Sequence, residues 1–165
     1  MNINEIFMKY IFGTLSEYPI HIRDVFLCSI EPNVHASMKS VKYFLNPRSY
    51  ISTVSLKHSY DRRPDFTTKN IDVIENLLDK PDFVLKDTGK KGDFIFVKKL
   101  PDMKNRFICC PIEITRRESG HLSIKCITFF PTKSRSYLQK FPTIWDREGG
   151  HVLHRDTKFS QCAQQ

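Results

Sequence analysis

His58 lies inside the stretch "SLKHSYDRRPDF", residues 55 to 66, with Lys57 before it and Arg62 and Arg63 shortly after. Free imidazole titrates at about 6.5, so His58 suits proton transfer near neutral pH. Lys57, Arg62 and Arg63 suit an anionic phosphate, the two arginines through planar forks of N–H donors. Cleaving a phosphodiester through a neighbouring ribose hydroxyl needs a base for the hydroxyl proton and an acid for the leaving oxygen. It also needs fixed cations to meet the charge that builds on phosphorus. That scheme requires no metal. The plain alternative for the same residues is a basic surface loop. Two later residues offer compatible groups: Lys98, at the end of an apolar run, and Thr128, whose ordinary role would be a buried hydroxyl satisfied by backbone.

Other chemistries find less support. His151 and His154 are three apart with Cys162 downstream, but the segment follows glycines and lacks a fourth ligand, so no metal site is expected. Asp61, Asp65 and Asp82 are scattered, and each has a capping or loop role open to it. "TGKKG" lacks the spacing and the Ser or Thr of a phosphate-binding loop, and no nucleophile elbow appears. No cofactor is expected.

The elements that must position these residues are partly readable. Ile3, Ile6, Phe7, Tyr10, Ile11 and Leu15 recur at helical spacing and predict a first helix over 3–15. The stretch from Tyr18 to Ser40 fits either strand or helix. "SYISTVSL" is β-branched and follows the turn-like "NPRS", which predicts a strand over 49–55 that delivers His58 just beyond its end. A helix over 69–78 follows, with Ile71, Ile74, Leu77 and Leu78 as its apolar face, Thr67 or Thr68 as its cap and Pro81 as its stop. "DFVLK", "DFIFVKKL", "RFICCPIEIT" and "HLSIKCITFF" then read as strands. Pro111 marks an edge or a bulge in its strand. Strict alternation in the last strand would put Lys125, Ile127 and Phe129 on one face and Ile124, Cys126 and Thr128 on the other. Past Pro131 the rhythm fades: "TKSRSYLQKF" fits a short helix or an extended basic segment, and the end is polar.

Composition bounds the rest. A chain of 165 residues that is 40% hydrophobic sustains one globular unit with a real core. A formal charge of +8 favours polyanionic partners, although a solvated basic surface has the same sum. No run reaches the ~18 apolar residues of a membrane span, and Glu5 stands where a secretory signal carries Lys or Arg, so a cytoplasmic protein with no membrane partner is expected. The five cysteines follow no metal or disulfide pattern. Cys109 and Cys110 are adjacent in a predicted strand and should face opposite ways, and most of the five read as reduced, buried thiols.

Taken in order, "SYISTVSLKHSYDRRPDF", "NIDVIENLLDKPDFVL", "DFIFVKK", "RFICCPIEI" and "IKCITFF" resemble the phage-associated branch of the barnase, EndoU, colicin and RelE-like (BECR) nuclease superfamily. The likeness spans about residues 46 to 131, and its strongest part is the spacing from the helix to the Pro81-Asp82 step. It implies an α+β fold with N-terminal helices packed on an antiparallel β-sheet of about four strands. By region it implies an N-terminal helical or mixed extension over 1–45, a nuclease core over 46–140 and a polar tail over 141–165. The implied activity is a metal-independent endoribonuclease, deployed as a toxin or mobile-element effector, with RNA as substrate and a protein inhibitor or immunity partner. Carried over, His58, Lys98 and Thr128 become the catalytic set, Thr128 by hydrogen-bonding a phosphate oxygen. Lys57, Arg62 and Arg63 become substrate-binding residues. The adjacent Phe129 and Phe130 depart from the family pattern, which has a small residue before the aromatic, and would crowd a pocket. The alternative is a non-catalytic RNA- or protein-binding module of the same fold, with Tyr60, Phe66 or Phe130 as stacking surfaces.

Overall fold

A computed structural model describes residues 3–12, 24–89, 92–100, 106–117, 119–133 and 135–151. The chain is α+β. Its sheet is larger than the four strands expected and is mixed rather than purely antiparallel. The strands are β1 (Asp24–Ser29), β2 (Arg48–Ser52), β3 (Phe83–Lys86), β4 (Phe94–Lys99), β5 (Phe107–Arg116), β6 (Leu122–Cys126), β7 (Phe130–Thr132), β8 (Thr143–Asp146) and β9 (Gly150–His151). They run in the order β1-β2-β6-β5-β4-β3-β8-β9, with β7 pairing β5 beside the row. The contact of β2 with β6 is parallel, and the other pairs are antiparallel. The extra strands come from the two regions where periodicity was ambiguous: β1 from the Tyr18–Ser40 stretch, and β8 and β9 from the polar end.

The helices are α1 (Ile3–Ile6), which continues as a π-helical segment Phe7–Phe12, then α2 (Pro32–Lys39), α3 (Thr53–Arg62), α4 (Pro64–Asp79) and α5 (Arg135–Leu138). The expected N-terminal helix is therefore short and changes hydrogen-bond pattern after one turn, and its predicted end at 13–15 lies outside the described residues.

Two helix starts differ from expectation, one through a polar cap and one through a first-turn proline. The strand predicted over 49–55 ends at Ser52, whose hydroxyl accepts from the Ser55 backbone N–H and opens α3. His58 thus lies within a helix and not at a strand end. The helix predicted over 69–78 begins earlier, at Pro64, whose missing N–H costs nothing in a first turn. Thr67 is consequently not a cap. It sits in the first turn, its N–H donating to Arg63 O and its hydroxyl to Ser59 O.

The sheet is covered on both faces over its centre. Phe94–Val97 and Phe107–Ile112 are buried without interruption, as strands between two layers must be. One face (Val25, Ile51, Phe94, Phe96, Ile108, Cys110, Ile112, Ile124) meets Ile71, Ile74, Leu77 and Leu78 of α4, Val34 and Met38 of α2, Leu56 of α3, and Ile3, Ile6, Phe7 and Ile11 of the N-terminal segment. The segment 3–12 is held onto this layer, and Asn4 donates to the Asp72 carboxylate on α4. The other face (Leu85, Ile95, Val97, Phe107, Cys109) is covered by Leu138 with Phe130, Tyr137 and Phe141. Cys109 and Cys110 fall on opposite faces, as alternation requires, and burial raises the Cys109 thiol pKa well above its ordinary value. Among the described residues the cysteines are free, and no helix is long and apolar enough to cross a membrane.

The Pro81-Asp82 step has a structural role. The Asp82 carboxylate accepts the Lys99 backbone N–H at 2.7 Å, its own N–H donates to Val97 O, and its carbonyl accepts from the Arg147 N–H. This closes the β3, β4 and β8 ladders at one end. At the opposite end of β4, Asp93 accepts from Ile114 N and from Lys42 Nζ, each at 2.7 Å. Gly92, next to it, passes so close to β5 that a Cβ would lie 2.6 Å from Ile112 O.

Two outcomes follow. Gly92→Ala forces backbone apart and should lower unfolding free energy by about 1–3 kcal/mol in urea titrations. His35 packs its ring 4.7 Å from that of Phe44 and contacts Phe44 O at 3.1 Å. Burial lowers its pKa, Lys39 adds to the effect, and the Phe44 hydrogen bond partly opposes it. The unfolded chain therefore takes up this proton first, so His35 makes stability fall as pH drops below about 6.5. The melting temperature of His35→Gln, followed from pH 7.5 to pH 5, should decline less steeply than that of the wild type.

Candidate functional site

The ladder of β5 is interrupted at one point. Its pairing with β6 ends at Ile112 opposite Cys126, and its pairing with β7 begins at Cys109 opposite Phe130. Between them the chain 127–129 bows away, with Ile127 N donating to Pro111 O at 3.0 Å. Pro111 lies in this gap. It has no N–H to offer a partner strand, so a proline is tolerated where the neighbour departs. Where an edge or a bulge was expected from this proline, the structure has an internal break in the pairing of a central strand.

A cleft of about 450 Å³ opens at the break. It is lined by Pro111, Ile127 and Thr128 at the break, by the aromatic residues Phe130, Tyr137 and Phe141, by Asp87 and Gly89, and by Arg62 and Arg63. The break also reverses the expected alternation. Phe129 turns into the helix-covered core with Ile124 and Cys126, 6.4 Å from the Phe66 ring, whereas Thr128 and Phe130 face the cleft. The crowding expected of two adjacent phenylalanines does not arise, because they point to opposite sides.

The arginines are placed by a helix corner. Arg63 caps the C-terminus of α3, its N–H donating to Ser59 O and Tyr60 O, and its backbone (φ −148°, ψ 70°) leaves the helical region, as a residue before proline must. Pro64 then starts α4, so Arg62 and Arg63 project from the junction. The Arg63 guanidinium lies 6.0 Å from the Phe130 ring centroid. The corner is fastened to the sheet break by Ser59 Oγ, 3.0 Å from Thr128 Oγ1. Ser59 Oγ also lies 3.0 Å from Ser55 O, and either hydroxyl of the Ser59–Thr128 pair can be the donor. Thr128 lines the cleft, where its hydroxyl can meet a polar group of a ligand.

The remaining site residues disperse. Lys98 lies on the helix-covered face with Phe94 and Phe96, opposite the cleft, and its Nζ donates to Lys80 O at 2.7 Å, satisfying a carbonyl at the end of α4. Lys57 pairs with Asp61 at 2.8 Å one turn along α3. His58 is exposed on α3 and is not a lining residue, but it stands one helical turn before Arg62, on the same side of the helix. The structure thus brings Arg62, Arg63 and Thr128 together and leaves Lys57, His58 and Lys98 outside.

Asp87 and Tyr137 enter the site from segments that sequence reasoning passed over. Asp87 Oδ1 accepts the Gly89 N–H in a tight loop, and its backbone N–H donates to Asp93 O. Burial raises the Tyr137 phenol pKa, with smaller contributions from Cys109 and Asp87, so the phenol remains a donor. "TKSRSYLQKF" carried no signal that its Tyr137 and Phe141 would fold over β5. Among the described residues no three His, Cys, Asp or Glu side chains group as metal ligands, and His154 and Cys162 lie outside those residues.

The lining chemistry is therefore two guanidinium groups, one carboxylate, a phenol and a hydroxyl around aromatic and aliphatic walls. It can hold an anion against a flat ring. No protein-family model, curated protein or solved structure matches this chain.

The Ser59–Thr128 contact predicts a coupling. Thr128→Val should cost about 1 kcal/mol in urea unfolding, and clearly less in a Ser59→Ala background, where its partner is already absent.

Proposed function

We propose that this protein binds single-stranded RNA, with a phosphate held by Arg62 and Arg63 and the adjoining base held against Phe130, Tyr137 and Phe141. The carrying observation is the convergence of these two guanidinium groups with three aromatic rings in one cleft. Arginine offers paired donors to phosphate oxygens, and aromatic rings take bases of any sequence by stacking. Asp87 adds an acceptor for base N–H groups, Tyr137 a donor, and Thr128 a hydroxyl that can pair with a ribose hydroxyl. The formal charge of +8 supports a polyanionic partner.

RNA cleavage by metal-independent transesterification, with the BECR-like resemblance behind it, is the second reading. One specific observation favours it: exposed His58 lies one helical turn from Arg62, so an RNA phosphate seated on Arg62 lies beside an imidazole. In that reading His58 moves the proton and the arginines stabilise the phosphorane, leaving a 2′,3′-cyclic phosphate. Lys98 has no part in it. A toxin role with an inhibitor or immunity partner extends this reading.

Fluorescence anisotropy with a labelled 12-nucleotide RNA tests the first reading. Replacing both Arg62 and Arg63 by Ala should weaken binding and make the slope of log K against log salt shallower by about 0.7, the share of one phosphate on a single strand. Equal affinity and slope in both proteins would refute it. Incubation of the same RNA in EDTA tests the second reading. Cleavage by the wild type and at least a hundredfold loss in His58→Ala is expected of a proton-transfer group, and intact RNA with both proteins removes cleavage from consideration.

A further inference from the structure

The sheet face that carries the cleft is only half covered. Over β3, β4 and β5 it lies under Phe130, Tyr137, Leu138 and Phe141. Over β1, β2 and β6 it meets solvent, and a row crosses the strands there through direct partners: Phe26 opposite Tyr50, Tyr50 opposite Lys125, Lys125 opposite Glu113. A solvated sheet face is ordinarily polar. This one exposes a phenylalanine at 42% of its surface and sets it against a half-buried tyrosine, with ring centroids 5.7 Å apart.

Arginines flank both rings. The Arg117 guanidinium lies 3.6 Å from the Tyr50 centroid, and that of Arg48 lies 4.5 Å from Phe26 and 5.9 Å from Tyr50. Arg117 also meets Asp24 at 3.4 Å, which holds it flat along the sheet. Arg48 and Lys125 have no carboxylate within ion-pair distance among the described residues. The patch therefore presents ring faces and guanidinium planes together, with the Arg48 charge unpaired among the described residues and Lys125 opposite Glu113 on the neighbouring strand. A base stacks on either kind of plane, and the cations meet the phosphates between bases.

Position links this patch to the cleft. Ile127 and Pro111, which line the cleft, are each two residues from Lys125 and Glu113. Two residues of strand span about 7 Å, and Tyr50 is one strand further, about 5 Å. A nucleic-acid strand leaving the cleft meets the aromatic row within its next few nucleotides.

We propose that the open face of β1, β2 and β6 is a stacking platform that extends the RNA site, receiving on Phe26, Tyr50 and their arginines the bases next to the one in the cleft. This rests on the reading of the cleft as an RNA site. The other role open to the same residues is stabilisation of an exposed sheet by ring and cation pairs, which involves no ligand.

The test compares a labelled trinucleotide, sized to the cleft, with a labelled 12-nucleotide uridine RNA. Phe26→Ser and Arg48→Gln alter exposed side chains outside the cleft. Each should weaken binding of the 12-mer by about tenfold, the size of one lost stacking partner, and leave the trinucleotide unchanged. The salt slope for the 12-mer should stay constant in Phe26→Ser and become shallower by about 0.7 in Arg48→Gln. On the wild-type protein, a 4-thiouridine 12-mer should crosslink to peptides containing residues 24–29 or 48–52, an outcome independent of any variant's folding. If both variants bind the 12-mer as the wild type does and crosslinks fall only on residues 127–141, the platform is overturned while the cleft stands. If neither probe binds the wild type, cleft and platform fall together. A lowered melting temperature with unchanged 12-mer affinity assigns the row to sheet stability and overturns the platform.

Discussion

The two-sided burial of β4 and β5 is the constraint from which the other features of this protein follow. Phe94–Val97 and Phe107–Ile112 carry apolar side chains, apart from Pro111, toward both faces, so each face needs its own cover. On one side α4 supplies it, helped by α2, α3 and the N-terminal segment. On the other side the cover is a short stretch after β6, comprising β7, α5 and the turn to Phe141. That stretch is long enough for β3, β4 and part of β5, and it stops there. The remaining sheet, β1, β2 and β6, keeps an exposed face as a direct consequence.

The same requirement generates the cleft. For the chain to pass from β6, which pairs the second half of β5, to β7, which pairs its first half, it must leave the ladder and rejoin it. Pro111 sits where the ladder is open, and the departing residues 127–129 distribute their side chains unevenly, with Phe129 into the core and Thr128 and Phe130 outward. A gap in a central strand would expose backbone to no purpose unless something packed against it. The α3–α4 corner does so through Ser59 and Thr128, bringing Arg62 and Arg63 into one cleft with the aromatic cover.

Sequence reasoning reached the sheet's centre and missed its margins, for identifiable reasons. The strands around Phe94–Lys99, Phe107–Arg116 and Leu122–Cys126 are apolar runs between turn signals, and alternation separated Cys109 from Cys110 correctly. Residues 53–62 were misjudged because Thr53 and Val54 prolong a β-branched run, whereas the helix start depends on a single hydroxyl, that of Ser52. Strand β1 was undecidable between periods, and β8 is a four-residue strand near the sheet margin whose partner β3 lies some sixty residues earlier. At the site, the arginines and Thr128 were legible as residue types with shared chemistry. Asp87, Tyr137 and Phe141 were not, because a carboxylate in a turn and aromatics in a basic segment have no local pattern that fixes where they fold. Lys98 shares its face with Phe94 and Phe96, which the helix layer buries, so strand alternation sets it on the face opposite the cleft and apart from Arg62 and Arg63.

The division between bound and reacting groups in the cleft is itself informative. Transesterification needs a proton acceptor and a proton donor within about 3 Å of the reacting oxygens. Each of the obvious groups in the cleft already has a task. Thr128 shares a hydrogen bond with Ser59, Asp87 closes a tight turn through Gly89, and burial raises the Tyr137 phenol pKa, which keeps it protonated and so not available as a base near neutral pH. The arginines remain charged at any relevant pH and bind without transferring protons. In the proposed reading, RNA binding would rest on Arg62 and Arg63 in the cleft, whereas proton transfer would fall to His58, a side chain on the outer surface of α3. Binding would then be a property of the resting fold and cleavage a property of the complex, because only RNA that follows the helix from Arg62 would bring a ribose hydroxyl to the imidazole.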